Sequence, residues 1–216
     1  DSHDIDGNII KENKVDNISE REIKKNLSVF IGEIKQIPPM VSAIKIGGKR
    51  LYKMAREGVT IEREPRKVKI HEFEIIKTDL PDIWFRVSCS RGTYVRTLCH
   101  DFGNKIGYGA ILTELKRTKI GNYTVDNALT LESLSTKEEV QKNLIPIEQA
   151  LDLPHAILSI SGENVFKNGN KVKIDEILEM DEGTNDLVQV FNRHGVFLGI
   201  ANVIKTAVGP FIIPKK

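Results

Sequence analysis

Residues 83–98 read IWFRVSCSRGTYVRTL, an alternating apolar run that passes through a glycine into a helical pattern. The apolar residues alternate from Ile83 to Cys89, which predicts a strand with one buried face. Tyr94 and Arg96 follow at once. An aromatic ring and a guanidinium two residues apart, beside a glycine that lets a ligand approach the backbone, are what a nucleotide-handling site needs.

This stretch has regular neighbours on both sides. Residues 67–77 alternate with one slip in phase, which predicts a strand that carries a bulge and pairs antiparallel with residues 83–89. Beyond Tyr94, apolar residues at helical spacing predict a helix that Gly107 ends. The residues of that apolar stripe are Val95, Leu98, Cys99, Phe102 and Ile106. Residues 111–120 are predicted to form a further strand.

Shorter elements precede this region. Ser19 and Glu22 form a capping-box pair, which predicts the start of a helix. Gly47 and Gly48 predict a tight turn between a short strand and a short helix, and Gly58 is placed to end that helix. The first half of the chain therefore mixes helices with strands.

The pattern changes toward the end of the chain. Ser135 with Glu138 predicts one more helix, and from about Ala156 short apolar runs alternate with turn residues. An α+β fold is therefore predicted, with a mixed, mainly antiparallel sheet and helices over residues 1–150. A small β-rich domain is predicted over residues 151–216.

Length and composition are those of an ordinary globular protein. A protein of 216 residues can bury about 70% of its unfolded surface, so it needs no disulfide or metal for stability. It contains no run of about 18 apolar residues, which argues against a membrane span or signal peptide and favours a soluble, cytoplasmic protein. Cys89 and Cys99 suit small buried hydrophobes, and the five histidines share no ligand spacing, so no metal site is predicted.

Positive charge is concentrated in the middle of the chain. Residues 40–120 contain 17 Lys and Arg against nine Asp and Glu, whereas the whole chain has a net charge of only +2. A basic middle between acidic ends favours a polyanionic partner, because Lys and Arg that neutralise phosphates release counterions. On charge alone, a merely solvated basic face is an equally good interpretation.

Three blocks of sequence occur in a fixed order. They are QIPPMVSA at 36–43 with its continuation to residue 58, SRGTYVRTL at 90–98, and GYGA at 107–110 leading to LKRT at 115–118. Together they resemble the bacterial tRNA pseudouridine-55 synthase family, which isomerises one uridine in the T-loop of tRNA. The resemblance spans roughly residues 1–150, and the tail resembles, more weakly, the small PUA-like RNA-binding domain that ends these proteins.

The resemblance implies a mechanism without cofactor or metal, in which a carboxylate attacks the flipped uridine and the base is rejoined through carbon. Tyr94 would stack on the base and remove its C5 proton, Arg96 would pair with the nucleophilic aspartate, and Leu115 would pack against the base. The implied partner is the T-stem-loop of tRNA, bound by a monomer away from membranes. RNA contact is expected from Lys45, Lys49, Arg50, Tyr52, Arg56, Arg91, Lys116 and Arg117.

The family nucleophile belongs to a Gly-Thr-Leu-Asp-Pro motif, which these 216 residues do not contain. Residues 1–7 resemble the family segment just downstream of that motif, so an N-terminally truncated chain that is inactive alone is expected. Asp101 lies close behind Arg96, but it matches a helix residue of the second block rather than the attacking group. Two other classes stay open: a non-catalytic tRNA-binding or RNA-folding module, and a structural basic domain.

Overall fold

The computed structural model describes residues 1–15, 17–181, 186–206 and 209–215. The chain divides into two compact units, Asp1–Asp126 and Asn127–Lys216. Both combine helices with mainly antiparallel sheets, which confirms the predicted α+β class. The division into domains at residues 1–150 and 151–216 stays a prediction.

The first unit carries the central sheet and its helices. In sequence order its elements are α1 (Glu20–Ser28), β1 (Gly32–Gln36), β2 (Lys45–Ile46), β3 (Lys49–Arg50), α2 (Leu51–Arg56), β4 (Arg66–Asp79), β5 (Asp82–Cys89), α3 (Val95–Ile106), β6 (Lys119–Ile120) and β7 (Tyr123–Thr124). The main sheet has the order β1-β4-β5 and is antiparallel throughout.

The long hairpin of β4 and β5 is the predicted pair of strands. Phe73 lies opposite Val87, and the register shifts at two places, after Ile70 and after Ile75. A strand with a bulge is therefore confirmed, although the structure has two irregularities where the sequence pattern showed one. Bulges increase the local twist of a strand. A more twisted sheet curves around the helices that pack on one of its faces.

One buried cluster joins the sheet to its two helices. Its members are Ile23 and Leu27 of α1, Ile70 and Phe73 of β4, and Leu98 and Phe102 of α3. Burying each of these residues contributes about 1.5–3 kcal/mol. The helix that follows Tyr94 is thereby fixed against the sheet.

The helix ends follow local sequence rules. Ser19 and Glu22 make the predicted capping box at the start of α1. The predicted α3 is also present, and Gly107 at its C-terminal end has φ 86°, a left-handed conformation that glycine adopts without strain. Helix α1 ends at Ser28. Gly32, four residues later, is the first residue of β1.

The strand predicted over residues 111–120 is wrong. Leu112 forms an isolated bridge to Asp4. Within this range, the residues from Lys119 onward belong to a separate small hairpin and not to the main sheet. Leu115 is the one apolar residue between Leu112 and Ile120, and its side chain is 57% exposed. A mainly charged segment has no apolar face to bury, so it does not form a strand of the sheet.

The second unit is built around a five-stranded sheet. Its elements are α4 (Lys137–Asn143), α5 (Ile147–Ala150), β8 (His155–Leu158), α6 (Ile160–Lys167), β9 (Ile177–Met180), β10 (Leu187–Asn192), β11 (Phe197–Thr206) and β12 (Gly209–Pro214). The strand order is β12-β11-β10-β8-β9, and only β8 and β10 are parallel. The predicted β-rich character of this part is confirmed.

Two helices of this unit differ from the sequence interpretation. The capping box of α4 is formed by Thr136 and Glu139, one residue later than predicted. Helix α6 occupies residues 160–167, where turns and strands were expected. Across the described ranges, the helices are too short or too polar to cross a lipid bilayer.

Candidate active site and nucleic-acid interface

A hydrogen-bonded turn directly precedes Tyr94 at the start of α3. Ser90 is tied to β4 through two of its atoms: its N–H donates to the Lys69 carbonyl at 2.8 Å, and its Oγ accepts from the Lys69 N–H at 2.9 Å. Thr93 Oγ1 donates back to the Ser90 carbonyl at 2.9 Å, and Gly92 takes a left-handed φ of 85°. The turn therefore has little freedom to move Tyr94.

Tyr94 and Arg96 lie side by side. Tyr94 is the N-cap residue of α3 and is half-buried, as is Arg96. The guanidinium carbon of Arg96 lies 5.9 Å from the centre of the Tyr94 ring, within cation–π range, and its Nη2 donates to the Val41 carbonyl. The structure thus brings the two predicted residues together on a partly open surface, and their catalytic roles stay predictions.

A buried glutamine holds the main chain of Tyr94. Gln36, at the end of β1, is only 2% exposed. Its Oε1 accepts from the Tyr94 N–H at 2.8 Å, and its Nε2 donates to the Tyr94 carbonyl at 3.1 Å. No local sequence signal predicts this contact. In the sequence, Gln36 is only the first residue of the QIPPMVSA block. Pro38 and Pro39, which follow it, are also buried.

The surroundings of Arg96 are cationic. His3 stacks on His100, with ring centres 3.8 Å apart and an interplanar angle of 6°. Burial, followed by the positive fields of His100, the amino terminus, Arg96 and Arg63, lowers the pKa of His3 to about 4. Among the described residues no carboxylate forms an ion pair with Arg96. This arrangement favours an incoming anion.

Asp101 and Cys99 are titratable residues of α3 whose pKa values are changed by burial. Burial raises the pKa of Asp101. The residue follows Arg96 by five positions, about 140° around the helix, so the two side chains lie on different faces. Burial also raises the pKa of the Cys99 thiol to about 12, so this group is protonated at neutral pH and is a poor nucleophile.

Three of the predicted basic residues lie on a short hairpin that precedes Tyr94 in the sequence. Lys45 pairs with Arg50 across β2 and β3, and Lys49 lies beside them; all three are exposed. Gly47 and Gly48 have φ values of 57° and 81°, which confirms the predicted tight turn. The hairpin presents its cations to solvent on a compact, ordered support.

Helix α2 adds an aromatic residue to this basic surface. The guanidinium carbon of Arg56 lies 5.6 Å from the centre of the Tyr52 ring. The helix start is tied to the segment that precedes the hairpin, because the Leu51 N–H donates to the Ile44 carbonyl and the Tyr52 N–H donates to the Ser42 carbonyl. The hairpin and α2 therefore form one surface, here called the basic hairpin surface.

The remaining predicted residues are exposed. Arg91 lies in the turn before Tyr94, and Lys116 and Arg117 lie in the irregular segment after α3, next to the exposed Leu115. Their contacts with RNA or a base stay predictions. In the described part of the protein, no cluster of His, Cys, Asp and Glu is arranged to hold a metal ion.

Two surface depressions are lined by residues other than Tyr94 and Arg96. One, of about 600 Å³, is in the second unit and is lined by Ser159, Ile160, Ser161, Asn164, Leu178 and Arg193. The other, of about 300 Å³, lies between α1 and β4.

Comparison with protein families gives two matches in series. Residues 1–95 match the TruB family pseudouridylate synthase N-terminal domain. Residues 96–152 match the tRNA pseudouridylate synthase B C-terminal domain. The division between the two matches falls within α3, directly after Val95.

Several bacterial proteins are similar along most of this sequence. The tRNA pseudouridine synthase B of Clostridium tetani is 42% identical over 206 residues, which are 95% of this chain and 70% of that protein. The protein of the same name from Burkholderia mallei is 37% identical over 211 residues, which are 96% of this chain and 70% of the relative.

Solved structures share the fold. The protein superposes on a subunit of a Cbf5-Nop10-Gar1 complex with a TM-score of 0.70 and 24% identity, over 93% of its own length. A second match, from an H/ACA RNP bound to a substrate RNA containing 2′-deoxyuridine, has a TM-score of 0.69 and 22% identity. The 216 residues span 62% of the length of each solved subunit.

Proposed function

Because this chain belongs to the TruB family of pseudouridylate synthases, we propose that the protein converts uridine 55 in the T-loop of tRNA to pseudouridine. The observation that carries the proposal is the Tyr94–Arg96 pair: a half-buried ring and a guanidinium 5.9 Å from its centre, at the start of α3. An aromatic face and a cation at one place suit a flipped base and an attacking carboxylate.

The reaction is an isomerisation, so atoms and charge balance without a cofactor. A carboxylate attacks C1′ of the flipped nucleotide, so that a C–O bond forms as the glycosidic bond from N1 breaks, and the uracil turns. C5 then bonds to C1′ as that C–O bond breaks and the carboxylate is released, the C5 proton leaves, and N1 takes up a proton. The protein has to hold the base out of its stack, keep the carboxylate ionised and accept the C5 proton.

Tyr94 and Arg96 meet these needs in the proposed site. Flipping a base costs a few kcal/mol of lost stacking, and stacking on one aromatic ring returns about 1–3 kcal/mol. The Arg96 cation favours the ionised form of a carboxylate brought near it. Arg63 adds positive charge, while His3, with a pKa of about 4, is neutral at pH 7.

The attacking carboxylate is proposed to come from outside these 216 residues. The Gly-Thr-Leu-Asp-Pro motif is absent from the sequence, and Asp101 lies on a different face of α3 from Arg96. We therefore expect the 216-residue protein to bind RNA without turnover. The protein encoded by the complete reading frame is expected to be active.

Tritium release from tRNA transcripts containing 5-tritiated uridine tests the proposed function. The product of the complete reading frame should release label from wild-type tRNA, and none when residue 55 is cytidine. The 216-residue protein should release none from either transcript. Release that persists with cytidine 55 contradicts the site specificity, and turnover by the 216-residue protein contradicts the proposed origin of the nucleophile.

A second candidate function is that of a non-catalytic tRNA-binding module. It is favoured by the basic hairpin surface, whose hairpin and helix both lie within these residues, whereas the motif of the nucleophile is absent. Binding of tRNA by a complete protein that never isomerises any uridine would make this the better description.

RNA binding by the basic hairpin surface gives a prediction common to both candidates. Arg50→Ala and Arg56→Ala should each weaken binding of a T-stem-loop RNA, and each should reduce the slope of log affinity against log salt by about 1, because one phosphate contact is lost. Fluorescence anisotropy between low and physiological salt measures this. Lys24→Ala, which removes an exposed cation of α1, is the control; unchanged affinity and slope in both Arg variants would exclude RNA contact by this surface.

A further inference from the structure

We propose that Gln36 is a positioning residue for Tyr94, needed for the rate of isomerisation rather than for RNA binding. The proposal rests on the proposed function, because Tyr94 is given its role there. Gln36 does not itself touch the substrate. It acts by fixing the main chain from which the Tyr94 ring projects.

The side-chain amide of Gln36 uses both of its polar atoms on one residue. Its Oε1 accepts from the Tyr94 N–H at 2.8 Å, and its Nε2 donates to the Tyr94 carbonyl at 3.1 Å. The two residues are 58 positions apart in the sequence. Hydrogen bonds on either side of one Cα restrain both adjacent peptide planes, so the direction of the Tyr94 Cα–Cβ bond is restrained as well.

The location of the contact makes it difficult to replace. Tyr94 is the N-cap of α3, and the first N–H groups of a helix have no acceptor within the helix. Gln36 is 2% exposed, so water has little access to substitute for its amide. Loss of the amide would leave the Tyr94 N–H without its acceptor, whereas the Tyr94 carbonyl would still accept from the Leu98 N–H at 3.0 Å.

The segment that begins with Gln36 also holds Arg96. Five residues later, the Val41 carbonyl accepts from the Arg96 guanidinium. Between them lie Pro38 and Pro39, which are buried and whose rings fix φ. Residues 36–41 therefore contact both Tyr94 and Arg96. The guanidinium carbon of Arg96 lies 5.9 Å from the centre of the Tyr94 ring.

The second unit offers a matched control. Gln189 is 1% exposed, and its Nε2 donates to the carbonyls of Leu151 and Leu153, both at 3.3 Å. It is therefore also a buried glutamine that holds main chain, but it contacts no residue of the proposed site. Its Oε1 has no hydrogen-bond partner within the residues that the structure describes, so a substitution at Gln189 reports the cost of losing the buried amide donor alone.

The test uses the product of the complete reading frame, with Gln36→Met and Gln189→Met as variants of similar length. Gln36→Met should lower kcat for tRNA by about 10–100-fold, because misplacement by about 1 Å can cost 100-fold, with KM changed by less than about threefold. Gln189→Met should lower the melting temperature by no more than Gln36→Met does, because the Gln189 Oε1 has no hydrogen bond to a described residue that could be lost, and should leave kcat within about twofold. Hydrogen exchange at the Tyr94 amide should accelerate only in Gln36→Met, and this readout needs no activity.

The outcomes separate the inference from the function on which it rests. Wild-type turnover with kcat of Gln36→Met within about twofold of wild type overturns the inference alone, as does an equal loss of kcat in Gln189→Met. An unchanged exchange rate at the Tyr94 amide shows that Gln36 does not hold this main chain. Absence of wild-type turnover on any tRNA overturns the proposed function, and with it the effect of Gln36 on the rate.

Discussion

Replacement of Tyr94 by leucine should lower kcat of the complete protein by at least about 1000-fold, while the affinity for tRNA falls far less. The stacking contribution of an aromatic ring is about 1–3 kcal/mol, and a positioned proton acceptor contributes about 100- to 10,000-fold. Leucine removes both. Most contacts with tRNA are expected to be made to phosphates by the basic hairpin surface, so binding should persist. Single-turnover tritium release with protein in excess measures the rate directly.

Tyr94→Phe separates the two roles of the phenol. Phenylalanine keeps the ring face and removes only the hydroxyl, so a loss of about 100-fold or more would assign proton removal to the Tyr94 oxygen. A rate close to wild type would leave stacking as the whole contribution. Tyr123→Phe, on β7, is the control and should change neither rate nor affinity. A Tyr94→Leu variant that turned over like wild type would remove Tyr94 from the site altogether.

Gly103→Ala should destabilise the first unit by about 2–4 kcal/mol. A Cβ at Gly103 would lie 2.0 Å from the backbone nitrogen of Ala110 and 2.3 Å from the carbonyl carbon of Gly109. The Gly109 N–H also donates to the Gly103 carbonyl at 2.9 Å, so the two backbone segments are in direct contact. No side-chain rotation relieves such an overlap, and overpacked sites typically cost about 1–3 kcal/mol, occasionally more.

Urea denaturation followed by fluorescence measures this change. Trp84 is the only tryptophan in the sequence and lies on β5, so it reports on the first unit. Lys105→Ala, two residues further along α3 and exposed, is the matched control and should change the free energy of unfolding by less than about 0.5 kcal/mol. A Gly103→Ala protein as stable as wild type would mean that α3 and residues 109–110 can separate without cost.

The elements that sequence alone predicts are those with strong local signals. The capping box of Ser19 and Glu22 defines the start of α1, and the apolar stripe with a terminal Gly107 defines α3. The alternation in β4 continues past the first irregularity because Ile70 and Phe73, on either side of it, are both buried in the cluster with α1 and α3. Tyr94 and Arg96 lie close together because Tyr94 is the N-cap, whose extended backbone lies outside the helical turn that contains Arg96.

The features that sequence did not predict depend on contacts between distant residues. The sequence alone does not indicate whether a glutamine is buried. The contact of Gln36 with Tyr94 is visible only when β1 is placed beside α3. The stack of His3 on His100 likewise joins residues far apart in the sequence. Helix α6 has Gly162 in its first turn, which weakens its helical pattern; glycine is required there because a Cβ would lie 2.6 Å from the Glu176 carbonyl oxygen.

The Gln36 amide binds backbone atoms and leaves the phenol of Tyr94 untouched. A substitution at position 94 therefore changes which chemical group is presented and keeps its attachment, whereas a substitution at position 36 changes where any group at position 94 is presented.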